Sequence, residues 1–180
     1  MIKISNFKFR ASNSHKGFTL IELILYISIL TTILSAIVPF AWSAIQTGVK
    51  SAVGQEVNTN ARYISERIKY EIRNANSITS ITNTSCSVNS IELNTTNNAI
   101  TVIDISGGKI RIRYGALGTP VNLNSDNTSV SCLTFTDYTS GDAKTKHIQF
   151  TINIAASFAA ARQEYQDSIV VEGSAEVRSN

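Results

Sequence analysis

Side chains that catalyse reactions or bind metals are scarce in this chain of 180 residues. It has two histidines, His15 and His147, and no Cys/His spacing that suits zinc. No glycine-rich loop precedes a helix to bind phosphate, and no paired carboxylates share an obvious face. Three acidic residues near loops could serve calcium but lack a recognisable ligand spacing: Asp126, Asp137 and Asp142. We therefore predict a protein that is not an enzyme and that uses no cofactor or metal.

Charge is nearly absent from residues 18–42, where Glu22 is the one charged side chain and glycine does not occur. These 25 residues, at about 1.5 Å each, are long enough for a hydrocarbon core of about 30 Å. Residues 1–17 carry a formal charge of +4 and the rest of the chain −1. The positive-inside tendency keeps residues 1–17 in the cytoplasm and places the chain beyond residue 42 outside. The run is too long for a cleaved secretory signal.

Glu22 needs a partner, because a carboxylate near a membrane centre costs about 2.5–3.5 kcal/mol on insertion scales. A cut between Gly17 and Phe18 would create an amino group on Phe18, close to the apolar layer. In an assembly of staggered parallel helices, Glu22 of one subunit could pair with the Phe18 amine of a neighbour. Such a buried ion pair would specify the register of the assembly, since apolar packing alone tolerates sliding.

Lys16, Gly17, Phe18 and Glu22, followed by an apolar run containing Pro39, closely resemble the N-terminus of the type IV pilin superfamily. That superfamily includes pilins and the pseudopilins of type II secretion. The resemblance implies cleavage after Gly17 by a prepilin peptidase, N-methylation of Phe18 by the same enzyme, and insertion into a filament directed by Glu22. The implied partners are other pilin or pseudopilin subunits, an inner-membrane assembly platform, and the lipid bilayer before assembly. The implied location is the inner membrane, then a periplasmic or cell-surface filament.

Residues 61–78 and 168–178 resemble the corresponding parts of J-type minor pseudopilins and related minor pilins, which implies a minor subunit. Because Glu22 is present, the resemblance argues against the subunit at the very tip of a filament. Two alternatives stay open: a filament-borne module for DNA uptake or adhesion, and a single-pass membrane-anchored domain unrelated to filaments. The charge of −1 after residue 17 argues against a nucleic-acid partner.

Helical spacing continues past residue 42 and predicts one helix from Phe18 to about Asn74. Its apolar face, which we expect to pack against a globular domain, consists of Ile45, Val49, Val53, Val57, Ala61, Ile64, Ile68 and Ile72. The opposite face is charged and predicted to lie in solvent, with i,i+4 pairs Arg62–Glu66 and Arg67–Glu71. The segments are thus a leader (1–17), a membrane or filament-core helix (18–42), its amphipathic continuation (43–75) and a β-rich domain (76–180).

Three residues are expected to loosen this helix. Pro39 removes a backbone donor and is predicted to kink it. Gly48 and Gly54 lower helix propensity further. We therefore expect the helix to bend or partly unwind at these positions when a subunit leaves the membrane for a filament.

The segment beyond residue 75 is predicted to be β-rich. Residues 76–98 hold 16 Asn, Ser or Thr and indicate a loop followed by a strand. The clearest hairpin joins residues 99–106 to 109–114 through a Gly107-Gly108 turn. Pairing Ser106 with Lys109 places isoleucines opposite isoleucines on one face and Asp104 opposite Arg111 on the other.

Further strands are expected at about 130–138, 147–155 and 168–177, whereas residues 156–166 are ambiguous between helix and irregular structure. The predicted fold class is α+β, with one long N-terminal helix packed on an antiparallel sheet. That arrangement also resembles the pilin fold.

The two cysteines are Cys86, expected just before the first strand, and Cys132, expected on a central strand. If this region lies outside the cytoplasm, a disulfide between them is the natural interpretation. The alternative is a pair of buried free thiols. By closing the loop between these cysteines, a disulfide would stabilise the fold by about 3–4 kcal/mol in the chain-entropy model.

Overall fold

The computed structural model describes residues 17–95, 100–141, 145–158 and 162–177. The chain divides into two compact units, Met1–Ser43 and Ala44–Asn180. One helix, α1, runs over Leu20–Arg73 and contributes residues to both. The described strands are β1 Ser77–Thr82, β2 Ser90–Asn94, β3 Thr101–Ser106, β4 Lys109–Tyr114, β5 Val121–Asn122, β6 Thr128–Asp137, β7 His147–Ala156 and β8 Ser168–Glu176.

The part of α1 in the first unit is apolar on every side. A stretch of 18 residues in α1 has a mean hydropathy of 2.3, and none of these residues is buried within the described chain. By length and composition this helix can cross a membrane. Pro39 lies inside α1 without ending it.

In the second unit, α1 buries the predicted apolar face from Val53 onward, since six of its residues, from Val53 to Ile72, are at most 5 % exposed. The prediction is wrong at Ile45, which is 63 % exposed, and Val49 is only half-buried. The buried face joins one core with the inner faces of the strands, in which the largest side chains are Phe135 and Phe150. The α+β class is confirmed, with one long helix packed on antiparallel β-structure.

The strands form two sheets, not the single sheet expected. One sheet has five strands in the order β1-β2-β3-β4-β5, and the other has three in the order β6-β7-β8, all antiparallel. Two strands were not predicted: β1, which lies where a loop was expected at the start of the Asn/Ser/Thr-rich segment, and the two-residue β5. The bounds expected for β6, β7 and β8 are close to the observed ones, and β2 is the strand expected to follow the loop within residues 76–98. The ambiguous stretch contains the end of β7, a 3-10 turn at Gln163–Tyr165, and residues 159–161, which lie outside the described part.

The predicted hairpin register is confirmed in full. Ser106 pairs with Lys109, Asp104 pairs with Arg111, and the isoleucines of β3 lie opposite those of β4. Gly107 and Gly108 have φ values of 58° and 73°, as a primed turn requires. Arg111 donates two hydrogen bonds to Asp104, of 2.8 and 2.9 Å, on the outer face.

The two sheets contact each other along the outer edge of β6. This edge lies beside the β1–β2 loop and the β3–β4 turn of the five-stranded sheet. The Leu133 N–H donates to the Cys86 carbonyl (3.1 Å), and the Val130 N–H donates to the Gly108 carbonyl (2.9 Å). The Asn89 side-chain amide donates to the Leu133 carbonyl at 2.7 Å. These bonds satisfy backbone groups that an open edge would leave unpaired.

Cys86 and Cys132 are joined in a disulfide in the structure. Cys86 lies in the loop between β1 and β2, after the first strand and not before it, because the Asn/Ser/Thr-rich segment already contains β1. Cys132 lies on β6, an edge strand and not a central one. The bond therefore links one sheet to the other, and does not fasten the helix-to-sheet connection.

Candidate functional site

The residues predicted to serve in processing and assembly lie at the start of α1. Gly17, Phe18 and Thr19 precede the helix, which begins at Leu20, two residues later than predicted. Phe18 is 82 % exposed, so the Gly17–Phe18 bond lies in an accessible, non-helical stretch. A peptide bond in that state can enter a protease site without unwinding a helix.

The helix begins at Leu20 and not at Phe18 because Thr19 serves as its N-cap. Its side-chain oxygen accepts a hydrogen bond from the Glu22 N–H at 3.3 Å. Its carbonyl accepts from the N–H groups of Glu22 and Leu23 at 3.0 and 3.1 Å. A threonine followed three residues later by a glutamate is the pattern of a capping box.

Glu22 lies in the first helical turn, where the helix dipole favours a carboxylate. This local stabilisation was not predicted, because the partner expected for Glu22 lies in another subunit. The Thr-x-x-Glu spacing would have indicated it. Glu22 therefore has both a position suited to capping α1 and a charge exposed within an apolar surface.

Three hydroxyls within the apolar part of α1 are satisfied inside the helix. Thr31 donates to the carbonyls of Ile27 (2.9 Å) and Ser28 (3.0 Å), and Thr32 donates to Ser28 (2.9 Å). Ser35 donates to the Thr32 carbonyl at 2.8 Å. Hydroxyls paired in this way can enter an apolar environment at low cost. Glu22 is thus the one charged side chain on this surface between residues 18 and 42.

Residues 12–38 match a family model described as the prokaryotic N-terminal methylation motif. The chain carries the prepilin-type methylation motif. The type IV pilin superfamily fits this motif together with the long apolar helix and the α+β fold. No curated protein and no solved structure shows significant similarity to the chain.

The methylation motif includes Gly17, Phe18 and Glu22 and ends just before Pro39. It covers only the beginning of the chain, and the two sheets lie beyond it. The motif implies processing by prepilin peptidase and assembly with other pilin subunits. It also fits a membrane-anchored protein that later joins a filament.

Beyond the motif, the charged face of α1 differs from the solvated surface expected. Glu71 is only 5 % exposed, accepts a hydrogen bond from the Tyr114 hydroxyl (2.7 Å) and forms an ion pair with Arg67 (2.9 Å). Arg67 also bonds the Tyr114 hydroxyl and lies 5.2 Å from the Tyr70 ring centre. The predicted Arg67–Glu71 pair is thus present, but it belongs to a partly buried network. Helical spacing alone could not predict the contact with Tyr114, because that residue belongs to β4.

The second predicted pair is replaced by a different one. Glu66 bonds Lys69 at 3.0 Å, one turn further along the helix, in place of Arg62. The hydrogen bond and the charge of Lys69 lower the pKa of the Glu66 carboxyl. Because this carboxyl is fully exposed, the pair belongs to the solvated surface, and its effect on stability is small.

The acidic residues considered for calcium do not converge in the described structure. Asp126 lies 3.3 Å from the Lys109 ammonium, and an Asp137 oxygen accepts the Thr139 N–H at 2.8 Å. Asp142 lies outside the described residues. Within residues 17–95, 100–141, 145–158 and 162–177, no group of three His, Cys, Asp or Glu side chains could hold a metal ion.

Proposed function

We propose that this chain is a subunit, and a minor one, of a type IV pilus or of a type II secretion pseudopilus. The observation that carries the proposal is the match of residues 12–38 to the methylation motif, continued by an apolar helix with Glu22 in its first turn. The resemblance of residues 61–78 and 168–178 to minor subunits supports the minor assignment.

Processing begins with hydrolysis of the Gly17–Phe18 peptide bond by prepilin peptidase. Water adds across the bond, leaving a carboxylate on Gly17 and an amine on Phe18. The same enzyme then transfers one methyl group from a methyl donor to that amine, which loses a proton and stays basic. The exposed stretch before Thr19 supports this step, because the cleaved bond is outside the helix.

Assembly depends on Glu22 and the new amine. In a low-dielectric filament core, a carboxylate gains most from a cation that is itself desolvated, and either charge alone is costly. Glu22 of an incoming subunit pairs with the Phe18 amine of its neighbour, which specifies the axial register. Thr19 supports this pairing by capping α1, which keeps Glu22 in the first helical turn.

Before cleavage, the subunit is anchored in the inner membrane with residues 1–17 in the cytoplasm and the folded unit outside. Its partners are other pilin or pseudopilin subunits and an assembly platform in that membrane. The joining of Cys86 to Cys132 supports an oxidising location for the folded unit. The charge of −1 beyond residue 17 supports a protein partner over a nucleic acid.

Intact-mass measurement and N-terminal sequencing of protein extracted from its native membrane test the processing step. We expect a chain that begins at N-methylated Phe18. A chain that keeps residues 1–17, in cells with an active prepilin peptidase, would leave Glu22 without its amine. The filament proposal would then give way to a single-pass anchored domain.

Substitution of Glu22 tests the assembly step separately. Glu22→Ala and Glu22→Gln should both be cleaved normally but should enter filaments far less often than the unaltered chain, because each removes the charge. Glu66→Ala is the matched control, since Glu66 is exposed on the same helix but outside the motif. Filament entry is measured by cross-linking to sheared or sedimented filaments. Normal entry of Glu22→Ala would contradict the proposed pairing.

A further inference from the structure

The apolar part of α1 lies between two side chains of different chemistry. Glu22, its one charged residue, lies in the first helical turn. Trp42, the one tryptophan of the chain, is 56 % exposed. No charged residue lies between them, and the hydroxyls of Thr31, Thr32 and Ser35 donate to carbonyls of the same helix. This stretch therefore presents a mainly apolar surface with a polar group at each end.

The distance between these two ends matches the thickness of a bilayer. Glu22 and Trp42 are twenty residues apart, which is about 30 Å along a helix that rises about 1.5 Å per residue. Both lie in the unit Met1–Ser43, and α1 continues through Pro39 between them. The hydrocarbon core of a bilayer is about 30 Å thick. A tilt of about 20°, common for membrane helices, would shorten the span by only about 2 Å.

Each end also suits the boundary that it can reach. The indole of tryptophan combines an apolar ring with one N–H donor, and it favours the headgroup layer over both water and hydrocarbon. A carboxylate at the boundary stays hydrated and avoids most of the penalty that applies at the membrane centre. Residues 1–17, with a formal charge of +4, precede Glu22 and favour the cytoplasmic side for that end.

We propose that Glu22 and Trp42 hold α1 at one depth in the bilayer. Glu22 lies at the cytoplasmic boundary of the hydrocarbon, and Trp42 lies at the outer boundary among the lipid headgroups. The proposal rests on the membrane-anchored subunit of the proposed function and adds the lipid contacts that position it. The Gly17–Phe18 bond, which precedes Glu22, then lies outside the hydrocarbon on the cytoplasmic side.

This depth determines when Glu22 needs a cationic partner. As long as the subunit stays in the bilayer, water and headgroups solvate the carboxylate. The desolvation cost begins when α1 moves into a low-dielectric filament core, where the Phe18 amine of a neighbour can offset it. The subunit is therefore stable alone in the membrane, and the requirement for the ion pair is confined to the assembly step.

The fluorescence of Trp42 tests the span, because no other tryptophan contributes. The full chain is reconstituted in mixtures of two phosphatidylcholines of different chain length, one of them brominated, and quenching measures which lipid surrounds α1. The unaltered chain should favour a hydrocarbon thickness of about 30 Å. Glu22→Leu should favour a bilayer thicker by about 6 Å, because its apolar stretch extends back to Phe18. An unchanged preference would overturn the assignment of Glu22 to the boundary.

Moving the tryptophan should produce the opposite shift. Val38 is exposed and lies one helical turn nearer to Glu22. Trp42→Leu combined with Val38→Trp keeps one tryptophan but shortens the span by about 6 Å, so the favoured bilayer should be thinner by that amount. Val38→Leu, which keeps Trp42, is the matched control and should not shift the preference. If the moved tryptophan leaves the preference unchanged, Trp42 is not an anchor and the proposal is overturned.

Thiol labelling in phosphatidylcholine vesicles tests the cytoplasmic boundary independently. Cys86 and Cys132 are joined to each other, so an added cysteine is the one free thiol. Ile21→Cys, next to Glu22, should react with a membrane-impermeant maleimide several-fold faster than Ser28→Cys, which lies about 10 Å further along α1. Labelling in sodium dodecyl sulfate normalises the two variants. Equal rates in vesicles would overturn the proposed depth.

These measurements need neither prepilin peptidase nor a filament. Their failure would remove the proposed depth but would leave cleavage at Gly17 and the Glu22 assembly assay unaffected. Conversely, a chain that keeps residues 1–17 in its native cell would contradict the filament proposal without changing the lipid preference of α1. Failure of the two proposals is therefore distinguishable.

Discussion

The Tyr114 hydroxyl donates a 2.7 Å hydrogen bond to Oε1 of Glu71, a carboxylate near the end of α1 that is 5 % exposed. Tyr114 is the last residue of β4. Arg67 bonds the same carboxylate oxygen at 2.9 Å. A buried carboxylate without this hydrogen bond and this ion pair would carry a large desolvation penalty. The bond therefore holds the last turns of α1 in one position on the five-stranded sheet.

Tyr114→Phe should lower the free energy of unfolding by about 1–2 kcal/mol. It removes the hydroxyl that donates a hydrogen bond to Glu71 while leaving the ring in place. Tyr70→Phe is the control, since Tyr70 is on the same helix as Glu71 but is 56 % exposed. The free energy of unfolding of this variant should change by no more than about 0.5 kcal/mol. Urea unfolding of both variants in the same detergent measures the difference. Equal stability of the two variants would contradict a structural contribution from the Tyr114 bond.

The same bond predicts a loss of stability at high pH. Burial raises the pKa of the Tyr114 phenol, and its hydrogen bond to Glu71 raises it further, although Arg67 opposes the shift. The folded state therefore holds this proton more tightly than the unfolded chain, whose tyrosine pKa is about 10. The contribution is fully present below that pH and is lost as the pH rises through the folded value.

Urea unfolding between about pH 8 and about pH 11 checks this sign. The stability advantage of the unaltered chain over Tyr114→Phe should shrink as the pH rises, because the phenylalanine carries no titrating proton. An advantage that grows with pH would contradict the assigned direction.

Removing the disulfide should destabilise the second unit. A sequence separation of 46 corresponds to about 4 kcal/mol in the chain-entropy model. The measured loss in Cys86→Ser/Cys132→Ser should be no larger than that, because Asn89 still connects the β1–β2 loop to Leu133. Thermal unfolding in detergent, with and without reductant, compares the double variant with the unaltered chain. Reductant should lower the unfolding temperature of the unaltered chain only.

Asn89 should be more important to stability than its polar, loop-rich surroundings suggest. It is 2 % exposed, accepts the Ser85 N–H at 3.1 Å and donates to the Leu133 carbonyl. Asn89→Ala should therefore cost about 1–3 kcal/mol, because it leaves an edge carbonyl of β6 unpaired. Asn127→Ala, at an exposed position, is the control. Chemical unfolding of the two variants measures the contrast.

The two helical glycines of the second unit should respond differently to alanine. A Cβ at Gly48 meets nothing within 4 Å, so Gly48→Ala should stabilise the chain by up to about 1 kcal/mol. A Cβ at Gly54 would lie 2.9 Å from Oδ2 of Asp167, whose other oxygen accepts the Ser168 N–H. Gly54→Ala should therefore gain less or lose stability. Matching gains in thermal unfolding would show that Gly54 serves flexibility and not close packing.

Patterns local in the sequence were predicted well. The hairpin register followed from two signals that agree, a Gly-Gly turn and the alternation of isoleucines with charged residues. The buried face of α1 between Val53 and Ile72 followed from helical spacing. The methylation motif was recognisable because its residues are adjacent in the chain.

Features formed by distant residues were missed for a physical reason. β1 looked like a loop because asparagine, serine and threonine suit turns, yet pairing with β2 outweighs that preference. Glu71 looked solvated because helical spacing says nothing of Tyr114, 43 residues away. The connection between the two sheets depends on contacts of Asn89 and Cys86 with β6, which no local pattern encodes.

The sequence by itself determined the motif around Gly17 and Glu22, the apolar length of the first segment, and the period of α1 and of the β3–β4 hairpin. These depend on side-chain order over a few residues, where spacing and geometry are directly related. Tertiary structure alone decided which polar side chains are buried and which strand edges are covered. Those outcomes arise from contacts between residues far apart in the chain, whose desolvation and pairing depend on the completed fold.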